Sequence, residues 1–216
     1  MNINIRGRLF DLSKPKVMGI LNLTPDSFYD GGVYNEINNI EDHVNKMVND
    51  GMDILDIGGY SSKPGAKNIS VDEELSRVIP VLKHIRKIFP KLVISIDTFR
   101  SKIASASLNE GADIINDISA GTLDKNMMSV VAKNNCPYIL MHMQGNPQNM
   151  QNNPSYNNVI LDIYDFFEDK LKLVREKGIK HSNIILDPGI GFGKNLKHNI
   201  TPVSYTHLTL PTKRIV

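Results

Sequence analysis

Six short apolar runs in this sequence each carry, at or just after their ends, a polar side chain able to touch a ligand: Asn22, Asp56, Asp97, Asn116, His142 and Asp187. Carboxylates and amides gathered from several strand ends give directional acceptors and donors for a small polar molecule. The first stretch, Met18-Gly19-Ile20-Leu21-Asn22-Leu23-Thr24-Pro25-Asp26-Ser27-Phe28-Tyr29-Asp30-Gly31-Gly32, releases the Asn22 side-chain carbonyl, then a polar turn, Phe28 and a Gly-Gly hinge. An amide oxygen suits a hard cation such as Mg²⁺, which commonly shares its shell with a substrate phosphate and water. Two readings of Asn22 therefore stand, a cation ligand or a hydrogen-bonding residue of the turn that Thr24-Pro25-Asp26 begins. A lone strand-end aspartate such as Asp187 more often caps a turn or helix than holds a ligand. His142, flanked by Met141 and Met143, is a base candidate or a structural histidine. Met141 within a strand is first of all a core residue, and Cys136 a small buried one.

The elements that must position these residues follow from hydrophobic periodicity. Apolar runs at Val17–Leu21, Ile54–Ile57, Leu92–Ile96, Asp113–Ile115, Tyr138–Met141 and Ile184–Leu186 predict six buried parallel strands. Between them Ile37, Ile40, Val44, Met47 and Val48 share one helical stripe, as do Leu75, Val78, Ile79, Leu82 and Ile85. Ser70 and Glu73 have capping-box spacing, and Gly51, Gly111 and Gly178 stand where helices should end. Such βα units can form an open doubly wound sheet or a closed barrel; a polar residue from every strand favours the barrel, with all six facing one mouth. Ile3-Asn4-Ile5 and Arg8-Leu9-Phe10, broken by Gly7, predict a hairpin plugging the barrel bottom. The expected fold is a (β/α)8 TIM barrel, incomplete at about six βα units, with an N-terminal hairpin. The barrel domain is expected to span residues 1–200. Residues 201–216, with four Thr and two Pro, carry no further βα pattern and resemble a translated cloning junction; a natural C-terminus is the other reading.

Composition narrows the function classes. The 216 residues are 41% hydrophobic and 22% charged with a net charge of +2, which gives no basic excess for a nucleic-acid surface. An anionic ligand must be met by local charge. One cysteine excludes an internal disulfide and fits a reducing, cytoplasmic setting. No stretch approaches the roughly 20 apolar residues of a membrane span.

The fifteen-residue run around Asn22 resembles the first signature of the dihydropteroate synthase family, and Asp56-Ile57-Gly58-Gly59-Tyr60-Ser61-Ser62-Lys63-Pro64-Gly65-Ala66 resembles the second. Ser95-Ile96-Asp97-Thr98, Ile114-Ile115-Asn116-Asp117, Met141-His142-Met143-Gln144-Gly145 and Asp187-Pro188-Gly189-Ile190-Gly191-Phe192-Gly193-Lys194 are also similar to that family, so the resemblance covers residues 16–197. It implies a transferase of folate biosynthesis, in which the amine of p-aminobenzoate displaces pyrophosphate from (7,8-dihydropterin-6-yl)methyl diphosphate to give 7,8-dihydropteroate. It further implies that Asp187 binds the pterin ring with Asp97 and Asn116, and that Asn22 with Mg²⁺, Ser62 and Lys63 meet the diphosphate. Phe28 and Pro64 would border the p-aminobenzoate pocket, and Met141 would wall the pterin pocket. The chemistry agrees, because a carboxylate can accept a paired N–H edge such as a pterin presents. The glycines after Asp187 permit close backbone approach, and Phe192 can pack on a flat heterocycle. Many family members have Glu at Tyr60, Thr at Ser62 and Arg at Lys63; Lys63 keeps the charge without the two-pronged donor.

The family's Ser-Arg-Lys and Arg-x-His stretches of the last two strands do not occur in this sequence. The resemblance thus implies a synthase whose activity is doubtful in the chain as it stands. Alternatives are a pterin-binding methyltransferase-type barrel, which has no need of the first signature loop, and a non-catalytic pterin-binding fragment. A homodimer of the full-length protein is left open.

Overall fold

A computed structural model describes residues 2–23, 33–63 and 65–204. Two antiparallel strands, β1 (Asn2–Ile5) and β2 (Arg8–Asp11), come first. The turn joining them places Arg6 and Gly7 at φ 48° and 81°, the double positive φ of a type I′ hairpin. Six parallel strands follow: β3 (Met18–Asn22), β4 (Ile54–Gly58), β5 (Val93–Asp97), β6 (Ile114–Asp117), β7 (Tyr138–Met141) and β8 (Ile184–Asp187). Each of the first five is followed by a crossover helix: α1 (Val33–Asn49), α2 (Val71–Ile88), α3 (Ser101–Asn109), α4 (Met127–Asn134) and α5 (Val159–Glu176). A last helix, α6 (Leu196–Ser204), follows β8.

The strands hydrogen-bond in sequence order from β3 to β8. No reversal of strand order occurs, so the sheet lacks the switch point of a doubly wound fold and winds in one direction as a barrel does. Among the described residues the sheet does not close, and β3 and β8 are its edges.

Side-chain alternation divides the six strands into two faces. Leu21, Leu55, Ile57, Ile94, Ile96, Ile115, Leu140 and Ile184 pack outward in the larger core with helix residues such as Val44, Val78, Leu82, Ile85, Ile103, Val131 and Phe167. Ile54, Val93, Ile114 and Ile139 face inward and form a second core with Ile3 and Ile5 of the hairpin; Phe10, Leu12, Met18 and Ile185 lie against it. The hairpin is the expected bottom plug. An ion pair fastens it: Arg6 Nε meets Asp113 Oδ1, while Arg86 holds the other oxygen at 2.7 Å.

The helix ends obey the local signals. Ser70 accepts from the Glu73 N–H at 3.0 Å, and Gly51, Gly111 and Gly178 all have positive φ. Within helix α6 the Thr201 hydroxyl donates to the Lys197 carbonyl at 2.8 Å. In one respect the structure differs from the sequence reading. His142 does not join the other five polar residues at the mouth, for a reason that the site makes plain.

Candidate active site

Above the plug, the inward face changes from apolar to polar. The same alternation that turns Ile54, Val93 and Ile114 inward also turns Asp56, Ser95, Asp97 and Asn116 inward. Met141 and Asp187, register partners on β7 and β8, lie on that face too, as does Asn22 opposite Gly58. Of the residues read as ligand-binding, the structure thus brings Asn22, Asp97, Asn116, Met141 and Asp187 to one face.

Asn116 is the best-determined member. Its Nδ2 donates to Asp56 Oδ2 at 3.0 Å, and since a carboxylate accepts, this fixes which way the amide points. Its Oδ1 is then left buried without a partner among the described residues, whereas the Ser95 hydroxyl, on the register partner of Asp56, lies close enough to that carboxylate to favour its charged form. Buried polar atoms are rarely left unsatisfied, so the Asn116 oxygen marks a place where a polar ligand can complete the network. Asp97 is the register partner of Asn116. Burial first, and the neighbouring Asp56 carboxylate second, hold its carboxyl well above the ordinary range, and burial also raises Asp56. Two such carboxylates side by side favour keeping a proton between them, which equips the cluster to donate as well as accept.

Asp187 is half-buried at the end of β8. Its Oδ1 accepts the Gly189 N–H at 2.8 Å. The glycine-rich loop that follows packs directly on the backbone after β7. A Cβ at Gly189, whose φ is +68°, would collide with the His142 carbonyl oxygen, and one at Gly193 would stand 2.9 Å from the Gln144 carbonyl oxygen. Only glycine allows that approach. Phe192 is half-buried on this loop, its N–H bonded to the Gly189 carbonyl at 3.1 Å.

His142 faces the helices. Its ring stacks edge-on against Phe166 of α5 at 4.9 Å, and its Nδ1 meets Lys194 Nζ at 3.0 Å. Burial, reinforced by the Lys194 charge, pushes the imidazole down to about 4, so it is neutral and accepts at Nδ1. This is the structural histidine of the two readings. Sequence reasoning assigned no role to Lys194, although it ends the glycine-rich run. It is buried at 3% exposure and pushed down to about 8 by burial.

Of the residues read as meeting a diphosphate, Asn22, Ser62 and Lys63 are described. Asn22 is exposed, Ser62 half-buried and Lys63 exposed. A Cβ at Gly58 would lie 3.3 Å from Asn22 Oδ1 and 3.5 Å from Asp97 Oδ2, so glycine keeps open a space between two oxygen donors. That space beside the Asn22 oxygen, a hard donor, would suit a small divalent cation. No group of three or more His, Cys, Asp or Glu side chains able to hold a metal occurs among the described residues, so most of such an ion's shell would come from substrate and water. Phe28 and Pro64 lie outside the described residues. Nearby, Tyr60 is buried, accepts from Gln148 Nε2 at 2.8 Å and meets Phe99 edge-on at 5.0 Å, a bridge between mouth loops that the sequence did not announce.

The profile of the pterin binding enzyme family matches residues 18–207. The dihydropteroate synthase of Escherichia coli is 42% identical over 215 residues, covering 98% of this chain and 76% of that protein. The dihydropteroate synthase of a Synechocystis species is 46% identical over 194 residues, 89% of this chain and 67% of that one. Among solved structures, Yersinia pestis dihydropteroate synthase with a sulfonamide drug complex superposes with a TM-score of 0.87 at 41% identity, over 95% of this chain and 74% of that one. Xanthomonas albilineans dihydropteroate synthase with 4-aminobenzoic acid gives 0.86 at 35% identity, over 94% and 72%.

Proposed function

The chain belongs to the dihydropteroate synthase family of pterin-binding enzymes, and from that premise we propose how its own residues serve the reaction. The activity is the transferase step of folate biosynthesis that joins (7,8-dihydropterin-6-yl)methyl diphosphate to p-aminobenzoate, forming a C–N bond at the methylene carbon and releasing pyrophosphate. The observation carrying the assignment of roles is the unsatisfied Asn116 oxygen on the inward face to which Asp187 also belongs. A pterin has one edge with adjacent N–H groups and others with ring acceptors. Asp187 accepts the paired N–H groups, Asn116 Oδ1 accepts a further ring N–H, and the proton retained by Asp56 and Asp97 is offered to a ring acceptor. Met141 and Phe192 give the flat ring its apolar contacts.

The leaving group is an anion, so donors and cations aimed at its oxygens lower the barrier. Asn22 Oδ1 would hold Mg²⁺, and Ser62 and Lys63 would donate to the same oxygens. When bound, the cation supplies charge neutralisation at the departing diphosphate. Phe28 and Pro64 are assigned to the p-aminobenzoate side. The methyltransferase-type alternative has no observation in its favour.

Separate titrations test these roles. In Asp187→Ala, 6-hydroxymethylpterin should bind about ten-fold or more weakly, the loss of a charge-assisted contact of about 1.5–3 kcal/mol. In Asn22→Ala, pterin affinity should be kept while Mg²⁺-dependent pyrophosphate binding weakens. Unchanged pterin affinity in Asp187→Ala, measured by calorimetry, would remove Asp187 from the site; equal losses of both ligands in Asn22→Ala would remove the metal role.

A further inference from the structure

The last residue of the glycine-rich run makes contacts that the reaction itself does not require. Lys194 Nζ lies 3.0 Å from His142 Nδ1, 3.3 Å from the His142 carbonyl oxygen, 3.0 Å from that of Gly189 and 3.1 Å from that of Phe192. Four acceptors thus surround three N–H donors. Among the described residues no carboxylate forms an ion pair with this ammonium. A buried cation without a contact partner of opposite charge is costly, and a methionine of similar shape would fill the space without that cost. What the lysine supplies is convergence. Its acceptors lie at the two ends of one loop turn, Gly189 and Phe192, and at the end of the neighbouring strand, His142.

The chain of contacts leads from there to the ligand face. Gly189, whose carbonyl Lys194 holds, donates its own N–H to Asp187 Oδ1 at 2.8 Å. Fixing one oxygen of Asp187 decides where the other points. His142 serves as a neutral acceptor, its ring wedged against Phe166 and Tyr156 at 4.9 and 6.0 Å, so the lysine's anchor is itself immobile. The loop has further ties: Tyr156 Oη donates to the Gly193 carbonyl at 2.8 Å, and the Gly191 N–H donates to Asn199 Oδ1 at 2.7 Å. Among the described residues, however, Lys194 alone hydrogen-bonds to both ends of the turn and to the end of the adjacent strand.

We propose that Lys194, seated on His142, is a positioning residue for pterin recognition: it clasps the loop after β8 so that Gly189 fixes one oxygen of Asp187 and thereby sets the orientation in which the carboxylate meets the paired N–H groups of the ring. The proposal rests on the reading of Asp187 as the pterin ligand, and the two can fail separately.

The test is a double-mutant cycle on the full chain, with 6-hydroxymethylpterin as probe and calorimetric Kd as readout. Lys194→Met should weaken binding about ten-fold when Asp187 is present, and by less than about two-fold in the Asp187→Asn background, because the clasp then has nothing to aim. A loss of equal size in both backgrounds indicates a general structural role and overturns the proposal, as does no loss beside wild-type Asp187. If Asp187→Asn alone binds as tightly as the wild type, the reading of Asp187 falls and the proposal with it. Should Lys194→Met lack a cooperative melt, the His142 pair decides. His142→Leu removes the acceptor and should lose about ten-fold, and His142→Asn restores an acceptor near Nδ1 and should return to within about two-fold of wild type. Equal affinities for these two variants overturn the clasp.

Discussion

His142 shows how one side chain can be legible in type yet misplaced in direction. Strand β7 ends at Met141, and continuing its alternation by one residue sends Met141 inward and His142 out against α5. The consequence is a pH dependence. The folded imidazole titrates at about 4 against an ordinary 6.5, so the unfolded chain takes up the proton first. The stability associated with neutral His142 is therefore complete above pH 6.5 and lost as pH falls toward 4. Relative to His142→Asn, which cannot titrate, the wild type should lose about 2 kcal/mol between pH 7 and 5 in urea unfolding; parallel pH profiles for the two proteins would refute this. The ligand-facing residues were easier to read. Asp97, Asn116, Met141 and Asp187 stand in family signatures, and strand parity puts them on one face. Lys194 was not legible as a clasp, because nothing in a linear sequence says that the carbonyls of Gly189 and Phe192 converge with His142 on one ammonium.

At the level of elements, the sequence came within a residue or two of every central strand because each is a short, largely apolar run closed by turn signals. The ties between elements were hidden. Arg100, before α3, donates to the Ile69 carbonyl at 2.6 Å and the Ser70 carbonyl at 3.1 Å, and pairs at 2.7 Å with Glu74 on α2, a carboxylate that is 0% exposed. Thr98 Oγ1 adds a hydrogen bond of 2.8 Å to the same Glu74. Burial raises the Glu74 carboxyl, while Thr98 and Arg100 pull it back toward the charged form. Arg100→Met leaves that carboxylate uncompensated and should destabilise the fold by about 3–5 kcal/mol in denaturant unfolding. Adding Glu74→Leu should recover most of the loss, since it removes the stranded charge; a double variant as unstable as the single would show that packing of Arg100 on Tyr60 and Phe99, at 5.2 and 5.3 Å, matters more than the ion pair.

Over the whole molecule, six strands wind in one direction around a polar upper interior and an apolar floor. Ile20 sits on the inward face of edge strand β3, level with Asp56, and is 64% exposed, whereas the inward-facing Ile54, Val93 and Ile114 of the neighbouring strands are covered. An apolar edge strand of this kind promotes association. The chain should therefore self-associate in sedimentation experiments at micromolar concentration, and Ile20→Lys should shift it toward monomer; a concentration-independent monomer in the wild type would contradict the reading. No helix among the described residues is long and apolar enough to cross a membrane.

The hairpin plug also sets an order of events in time. Its residues, Ile3 and Ile5, leave the ribosome before any other part of the barrel. Yet the floor they complete is made by Ile54, Val93, Ile114, Ile139 and Ile185, contributed from almost the whole length of the chain. Those partners are brought together only when the parallel strands have paired, and pairings so distant in sequence form slowly. A segment made before the strands is thus seated after they have paired. Contacts absent from the rate-limiting transition state hold the native state closed without hastening its formation. Ile5→Ala should accordingly accelerate unfolding in stopped-flow measurements and leave the refolding limb of the chevron nearly unchanged. A comparable slowing of refolding would mean that the hairpin is part of the nucleus.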